Sequence, residues 1–506
     1  MRRETLLNAF SGPAHILVNI LLVLVLIPLF IDTLGLRLYG VYALVSVVGS
    51  LGVFTNFGFN TSLIKYLAEQ KNREQSNYDI VVTLILLAGT TSLAGLLAIL
   101  FGDFFLMRVL GIDEALVDSS VRWFYYTSVG ASIVQVVGQV PGAVLDAQQK
   151  VYVTNSVTMG AGAMGRIAVI GSLFLHPDLA TIGWIMLGSA VAGTFFLTWF
   201  AYKTWGAITS PGLKSHVVPV ARKHFVYARS IYATAVVGSF YEPLTKVLLS
   251  HYVGLTEVGF FDIALRIKTL VWSLLERFLY PVLPMLASKS SFDEVRSLVN
   301  EAQQKLLLIV VPILVAVPFL AAPVVSVWLG NVLLPVVLGV ACVLCCYLFA
   351  LLFLPVYQFL TIKGHPEKTF VLQLTNAGVN LVLFAGLVPL FGYYGALAAF
   401  CLAVLTSSAL CIKYQRTFLG NQILGSRILR LRVLTLMAGL LLVNALVSAI
   451  AEGDWVRIAV QLTANVVATI ALFRQLKMIT ADDLNRYVGR QSRLGTMLER
   501  VLVRGT

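Results

Sequence analysis

Apolar residues in this chain come in blocks of about twenty, separated by short polar or charged gaps. A block of that length spans the hydrocarbon core of a bilayer as one α-helix, which takes about 20 residues. With the gaps as boundaries, fourteen blocks emerge: 10–31, 40–63, 80–101, 121–145, 153–175, 179–202, 227–252, 258–286, 306–328, 333–361, 369–390, 393–413, 433–451 and 455–473. The connections are too short to hold a folded soluble domain. The pattern predicts an all-α polytopic membrane protein of about 14 transmembrane helices.

Composition agrees. The chain has 506 residues, 58% hydrophobic and 12% charged, with a mean hydropathy of +0.87, whereas a soluble domain is nearer half apolar and a quarter charged. Basic residues outnumber acidic ones, 37 to 24, for a formal charge of +13. With the N-terminus placed inside, 27 lysines and arginines fall in gaps and tail on the cytoplasmic side. Four (Arg37, Arg108, Arg122 and Arg457) fall on the other, where Asp103, Asp113, Glu114 and Asp118 share one loop. An asymmetry this clean supports both the count of spans and the orientation, with both termini cytoplasmic. It accounts for the charge by attraction to anionic lipid heads and needs no nucleic acid. The start, Met1-Arg2-Arg3-Glu4, mimics a signal peptide, but the run Phe10 to Ile31 is too long and lacks a small-x-small cleavage site. It reads as the first transmembrane helix. In the tail, Leu484, Val488, Met497, Leu498 and Val501 alternate with arginines between Thr480 and Val501. That stretch reads either as an interfacial amphipathic helix or as a solvated tail. All five cysteines (Cys342, Cys345, Cys346, Cys401 and Cys411) lie in apolar blocks and read as small buried hydrophobes. No pattern requires a metal or a cofactor.

The chain also repeats itself. Gly35-Leu-Arg-Leu-Tyr-Gly-Val-Tyr42 precedes the second block, and Gly254-Leu-Thr-Glu-Val-Gly-Phe-Phe261 precedes the eighth. Pro141 to Gln149 resembles Pro355 to Lys363, and Gly183 corresponds to Gly395. The matches keep their order at a slowly shrinking offset. They divide the chain into an N-terminal six-helix lobe (1–215), a C-terminal six-helix lobe (216–415), two additional helices (416–473) and a basic cytoplasmic tail (474–506). Six spans per half make the repeat parallel, the arrangement of a transporter whose path lies between its lobes.

Blocks seven and eight are anomalous. The first holds Glu242 and Lys246; the second holds Asp262, Arg266, Lys268, Glu276 and Arg277. Each charge costs roughly 2.5 to 3.5 kcal/mol at the centre of a membrane helix, so such residues turn toward water or toward one another. At about 100° per residue, Asp262, Ser273 and Arg277 fall within about 40° of Arg266, while Lys268 points away. That stripe is the pattern of a helix lining a cavity. The alternative is structural neutralisation within two i,i+4 pairs, Glu242–Lys246 and Asp262–Arg266. Elsewhere, Arg166 lies in the fifth block, and polar pairs recur: His15/Asn19, Asn56/Asn60, Gln135/Gln139, and Gln373 with Asn376 and Asn380. Interhelical hydrogen bonds account for any one pair; together the amides suit a path for sugar hydroxyls.

Two motifs are decoys. Gly160, Gly162 and Gly165 spell the dinucleotide fingerprint but follow no strand, so close helix packing explains them. Asn60-Thr61-Ser62 spells a glycosylation site at the cytoplasmic end of a span. Neither a Walker A sequence nor a hydrolase or zinc-protease signature is present.

Ile27-Pro-Leu-Phe30, the following Leu34-Gly-Leu-x-x-Tyr-Gly-Val-Tyr-Ala43, Leu63-Ile-Lys-Tyr-Leu-Ala-Glu69 and the echo Val258-Gly-Phe-Phe-Asp-Ile-Ala-Leu-Arg266 resemble polysaccharide repeat-unit flippases. These belong to the multidrug/oligosaccharidyl-lipid/polysaccharide exporter superfamily, and the resemblance covers essentially the whole chain. It implies two six-helix lobes in a V, alternating access and no enzymatic activity. The implied cargo is an oligosaccharide on undecaprenyl pyrophosphate, moved from the cytoplasmic to the periplasmic leaflet of the inner membrane. Membrane lipids and the polysaccharide polymerase and chain-length machinery are the implied partners. A cationic lumen recurs in such proteins; Arg266, Arg277, Lys246, Lys268 and Arg166, with Ser273, are the candidates here. Glu242 and Asp262 are the candidate ion-coupling carboxylates. The competing expectations are a lipid II flippase, a cation-coupled multidrug exporter, or a membrane-embedded polysaccharide polymerase or ligase.

Overall fold

Glycines, prolines and polar caps cut the apolar blocks into helices. The computed structural model describes residues 3–70, 72–279, 282–289, 291–420, 427–476 and 478; the tail segment 480–501 lies outside them. Among the described residues the secondary structure is helical throughout. The order is α1 (Arg3–Val45), a 3-10 turn, α2 (Leu51–Asn56), α3 (Phe59–Glu69), α4 (Arg73–Leu100), the single turn α5 (Gly102–Phe104), α6 (Ser119–Ala147), α7 (Val151–Leu175) and α8 (Leu179–Trp205). Then follow α9 (Leu213–Tyr252), α10 (Leu255–Glu276), a 3-10 turn at Arg277–Leu279, α11 (Val282–Ser288), α12 (Phe292–Leu329), α13 (Leu334–Leu351), α14 (Leu354–Ile362), α15 (Pro366–Leu419), α16 (Arg427–Ile450) and α17 (Asp454–Gln475).

Asn72, Asp118 and Asp178 cap α4, α6 and α8 by accepting from first-turn backbone N–H groups. Gly206, Gly330 and Gly420, all at positive φ, follow the ends of α8, α12 and α15. Ten helical stretches among the described residues are long and apolar enough to cross a membrane. Two of these are double-length. The stretch Ser11–Asn56 breaks at Gly35 (φ 80°, ψ 162°), and α15 breaks at Gly392 (φ 53°, ψ −128°). Each therefore supplies two crossings. With the charge-bearing α9 and α10 included, the expected fourteen blocks all have helical counterparts. The protein is a multi-pass, all-helical membrane protein. Two boundaries differ from the sequence pattern. Block 333–361 is two helices, broken at Leu352–Phe353, with Pro355 in the first turn of α14. Block 258–286 leaves the α-helix after Glu276.

The surface is largely apolar, and the mostly apolar interior also holds polar side chains. Leu21, Phe174, Trp184, Phe195, Leu390 and Leu442 are exposed, whereas Asp79, Thr83, Gln303, Gln415, Asn444 and Gln461 are buried. With lipid as solvent, helices associate through packing and interhelical hydrogen bonds, so polar side chains belong inside. Gln303 of α12 and Gln415 of α15 exchange two amide hydrogen bonds, at 3.1 and 2.7 Å. Gln461 of α17 donates to Asn444 Oδ1 of α16 at 3.1 Å. Gly165, one of the decoy glycines, faces Ser189 of α8, whose hydroxyl a Cβ would approach to 2.7 Å. That close approach is the helix packing expected of the motif.

The chain divides into two compact units. The first comprises Met1–Ile263 with Asn380–Ala396, the second Ala264–Val379 with Leu397–Thr506. Within the first unit, α6 runs centrally, with 61% of its most apolar window buried against 11% for α7. Phe59, Leu63, Ile80, Leu87, Val140 and Leu197 form a core where α3, α4, α6 and α8 meet.

The glycine repeats pack on each other in that unit, and reciprocally. A Cβ at Gly40 would lie 1.8 Å from the Leu255 carbonyl oxygen, and one at Gly259 would lie 3.2 Å from the Leu36 carbonyl oxygen. Leu255 is the repeat equivalent of Leu36, and Gly259 that of Gly40. Each glycine thus receives the backbone opening the other repeat, an approximately two-fold contact. Gly40→Ala forces backbone apart and is expected to cost about 3 kcal/mol. Gly89→Ala in α4 meets nothing within 4 Å and is expected to stabilise by up to about 1 kcal/mol. Thermal midpoints of the two purified variants check both; equal midpoints would show that the close approach is not made.

Candidate functional site

The close approach at Gly40 sets the first polar centre. It carries Tyr39 toward α10, where the Tyr39 hydroxyl donates to Asp262 Oδ2 at 2.7 Å. Asp262 Oδ1 accepts from Lys246 Nζ of α9 at 2.6 Å. Tyr39 and Asp262 are 1% and 2% exposed. An aromatic cage holds the tyrosine, with Phe30 at 5.4 Å and Tyr42 at 5.9 Å between ring centroids. Immediately before Lys246, buried Thr245 accepts from Asn380 Nδ2 at 2.7 Å. A carboxylate in such a setting needs both an opposite charge and hydrogen bonds, and here it has them. Lys246 therefore reaches 16 residues along the chain to another helix, and its charge is matched by Asp262.

The second centre escaped the sequence reading. Asp79 of α4, fully buried, accepts from Lys223 Nζ at 2.6 and 2.8 Å and faces His224 Nε2 at 3.1 Å. The other imidazole nitrogen, Nδ1, faces Ser62 Oγ of α3 at 2.7 Å. The Lys223 ammonium also lies 4.2 Å from the Tyr66 ring centroid. Nearby, Trp205 donates to Asn77, Tyr78 stacks on His216 at 4.0 Å, and the Asn77 amide donates to the Thr209 carbonyl. This node ties the connection between α8 and α9 to α3 and α4. Its partners are 144 and 162 residues apart, so no local pattern could announce it. Lys223 counted in sequence only as a cytoplasmic cation. Ser, His and Asp follow one another here, but Asp79, Ser62 and His224 are each entirely buried, without room for a substrate.

The third feature is a cavity of about 400 Å³ in the first unit, lined by α3, α6, α7 and α8. Its polar wall includes Asn60, Gln135, Gln139, Asp146, Thr158 and Thr194, with Gly138, Gly142, Gly162 and Gly193 making the space. The amide pairs read from the sequence converge here: Asn56 donates to Gln139 Oε1, and the Asn60 backbone N–H bonds Asn56 Oδ1.

The remaining expected site residues are placed as follows. Arg166 is half-buried on α7, and a Cβ on Gly162 of the cavity wall would meet its Nη1 at 3.1 Å. Glu242 is half-buried on α9, 3.5 Å from the Tyr241 hydroxyl. In the second unit, Arg266 and Ser273 are half-buried on α10, and the Ser273 hydroxyl donates back to Leu270 at 2.9 Å. Lys268 is buried with its ammonium 4.6 Å from the Tyr347 ring centroid, off the stripe as the helical wheel places it. Arg277 is half-buried in the 3-10 turn that follows α10. One 3-10 step turns about 120° instead of 100°, which shifts Arg277 little from the stripe. The second unit also encloses an apolar cavity of about 410 Å³, walled by Ile267, Leu308, Pro312, Val340, Leu344 and Val466 among others.

Comparison with known proteins now bears on these features. A family model described as "Polysaccharide biosynthesis protein" matches residues 8–290, more than half of the chain. The chain belongs to the polysaccharide biosynthesis protein family. Among solved structures, this polysaccharide biosynthesis protein is similar to one titled lipid II flippase MurJ in an inward closed conformation. The TM-score is 0.70 at 14% identity, over 94% of this chain and 99% of that one. It is also similar to an inward-facing multidrug resistance MATE transporter of the MOP superfamily, with a TM-score of 0.64 at 14% identity over 78% and 93% of the two chains. A Pyrococcus furiosus MOP superfamily transporter, whose title reports a binding pocket of reverse polarity, matches at a TM-score of 0.55 and 14% identity over 82% and 95%. At these identities the likeness concerns the fold. No curated protein matches the chain significantly in sequence.

Breaking the first centre tests its chemistry. Asp262→Ala strands a buried ammonium and is expected to cost about 3–5 kcal/mol. Lys246→Met added to it is expected to recover a large part of that loss, measured as thermal midpoints in detergent. A double variant no more stable than the single one would contradict the pairing.

Proposed function

We propose that this protein is a flippase, not an enzyme, that moves an undecaprenyl-pyrophosphate-linked oligosaccharide from the cytoplasmic to the periplasmic leaflet by alternating access. The observation that carries the reading is the retention of Arg266, Lys268 and Arg277 in and directly after a membrane-length helix, in a chain of the polysaccharide biosynthesis family. A pyrophosphate crossing a bilayer requires fixed positive charge along its route. Arg266 and Arg277 fill that role, with planar guanidinium forks suited to phosphate oxygens; Arg166, Lys268 and Ser273 support them. The apolar cavity of the second unit suits a prenyl chain. The positive-inside pattern supports both termini on the cytoplasmic face of the inner membrane. The periplasmic polymerase and chain-length machinery then receive the product.

Lys246 takes a different role from a free lumenal cation. Its ammonium is matched by Asp262 at 2.6 Å, so protonating Asp262 releases a positive charge for the cargo. That step would couple proton uptake to anion binding, with Glu242 as the second candidate carboxylate.

The likeness to the lipid II flippase over 94% of this chain, against 78% for the multidrug transporter, favours lipid-linked cargo over drugs. It also supports a second reading, a peptidoglycan-precursor flippase, whose loss would lyse cells. The first reading predicts viable cells without surface polysaccharide. Arg266→Ala and Arg277→Ala are each expected to abolish surface polysaccharide, scored by gel and immunoblot, while the proteins insert at normal levels. Normal polysaccharide in both variants at normal protein levels would sink the cationic route.

A further inference from the structure

The cavity of the first unit has a hydrogen-bonding polarity that its residue types alone do not disclose. Thr158 donates to the Thr154 carbonyl and Ser189 to the Ala161 carbonyl, both at 2.8 Å. Thr194 donates to the Val134 carbonyl at 3.1 Å, and Thr154 to Asp146 Oδ1 at 2.8 Å. A hydroxyl carries one hydrogen, so all four present only lone pairs to the space between them. Asn60 Oδ1 is buried and accepts from no protein donor, so it is open to a donor in the cavity. Asp146 adds a carboxylate, and no Lys or Arg stands among the lining residues.

The hydroxyls, Asn60 Oδ1 and Asp146 therefore present acceptors to the space, beside the amide NH2 donors of Asn60, Gln135 and Gln139. A ligand that brings several donors is required, and a sugar ring does so, with hydroxyls on its rim and C–H groups on its faces. Ala161, Ala190, Leu197 and the glycines supply apolar wall for those faces. A volume of about 400 Å³ falls toward the small end of ligand pockets, which run about 300–1,000 Å³, and holds one ring. Gln135 is exposed although it lies on the spanning helix α6. Its amide faces water more cheaply than lipid, which marks an aqueous rim. We infer that this cavity is a saccharide subsite that receives one ring of the glycan and reads its hydroxyls. The inference rests on the export reading above and assigns the sugar end of the cargo to hydroxyls and amides in the first unit.

The test is saturation-transfer NMR on the full chain in detergent with the methyl glycosides of glucose, galactose and N-acetylglucosamine. At least one is expected to bind the wild type. Asn60→Leu and Thr158→Val are each expected to weaken that binding about tenfold, the loss of one hydrogen bond of about 1.4 kcal/mol. Gln135→Ala, at the exposed rim, should weaken it too without lowering the thermal midpoint, so the result does not depend on a core substitution folding. Absence of binding to the wild type, or binding unchanged in all three variants, overturns the inference. So does saturable sodium binding that the same variants abolish while no glycoside binds. The export reading is scored separately in a strain lacking the chain. Glycoside binding alongside intact surface polysaccharide overturns that reading and leaves the subsite; lost polysaccharide without glycoside binding overturns the subsite alone.

Discussion

A carboxylate enclosed among membrane helices persists only if something matches its charge and fills its lone pairs. At Asp262 both are done from distant parts of the chain: Lys246 supplies the charge and Tyr39 a second hydrogen bond. Tyr39 can reach because Gly40 lets its helix approach the Leu255 backbone more closely than any side chain allows. Packing and electrostatics thus depend on each other. The glycine contact without the ion pair would leave a buried charge, and the pair without the contact would lose its tyrosine.

The glycine contact also explains why the two repeat segments look alike. Gly40 meets the repeat equivalent of Leu36, and Gly259 meets Leu36 itself. Both positions must stay without a Cβ, and Gly35 and Gly254, which open the two segments, both sit at positive φ. The repeat was visible in sequence because a backbone-to-backbone contact constrains residue identity directly. The helical blocks were visible for a related reason, since a bilayer requires about 20 apolar residues per crossing whatever their partners.

What was not legible is equally physical. The Asp79–His224–Ser62 node joins residues from three helices, and its members carry no spacing that distinguishes them from solvated polar residues at a span's end. Lys246 showed a near neighbour of opposite charge in Glu242, yet the structure bonds it to Asp262, on the next helix. The end of α10 at Glu276 was hidden because the apolar pattern continues past it. Which way the hydroxyls of the first-unit cavity bond was hidden as well, since threonine and serine can donate or accept until their partners are known. The amide pairs did signal a polar interior; that Asn60 and Gln139 share one cavity is tertiary information.

Under the proposed export function these features would divide the work along chemical lines: cations for the pyrophosphate, hydroxyls and amides for the sugar, and an apolar cavity for the prenyl chain. The most direct measurement of the central claim is reconstitution of the purified protein into vesicles carrying a fluorescent prenyl-pyrophosphate-linked saccharide. A membrane-impermeant quencher then reports how much of it changes leaflet. The account predicts protein-dependent, saturable transfer of the pyrophosphate-linked saccharide and little transfer of a neutral prenyl glycoside bearing the same sugar. Equal transfer of the two, or no transfer of the charged one, would contradict it.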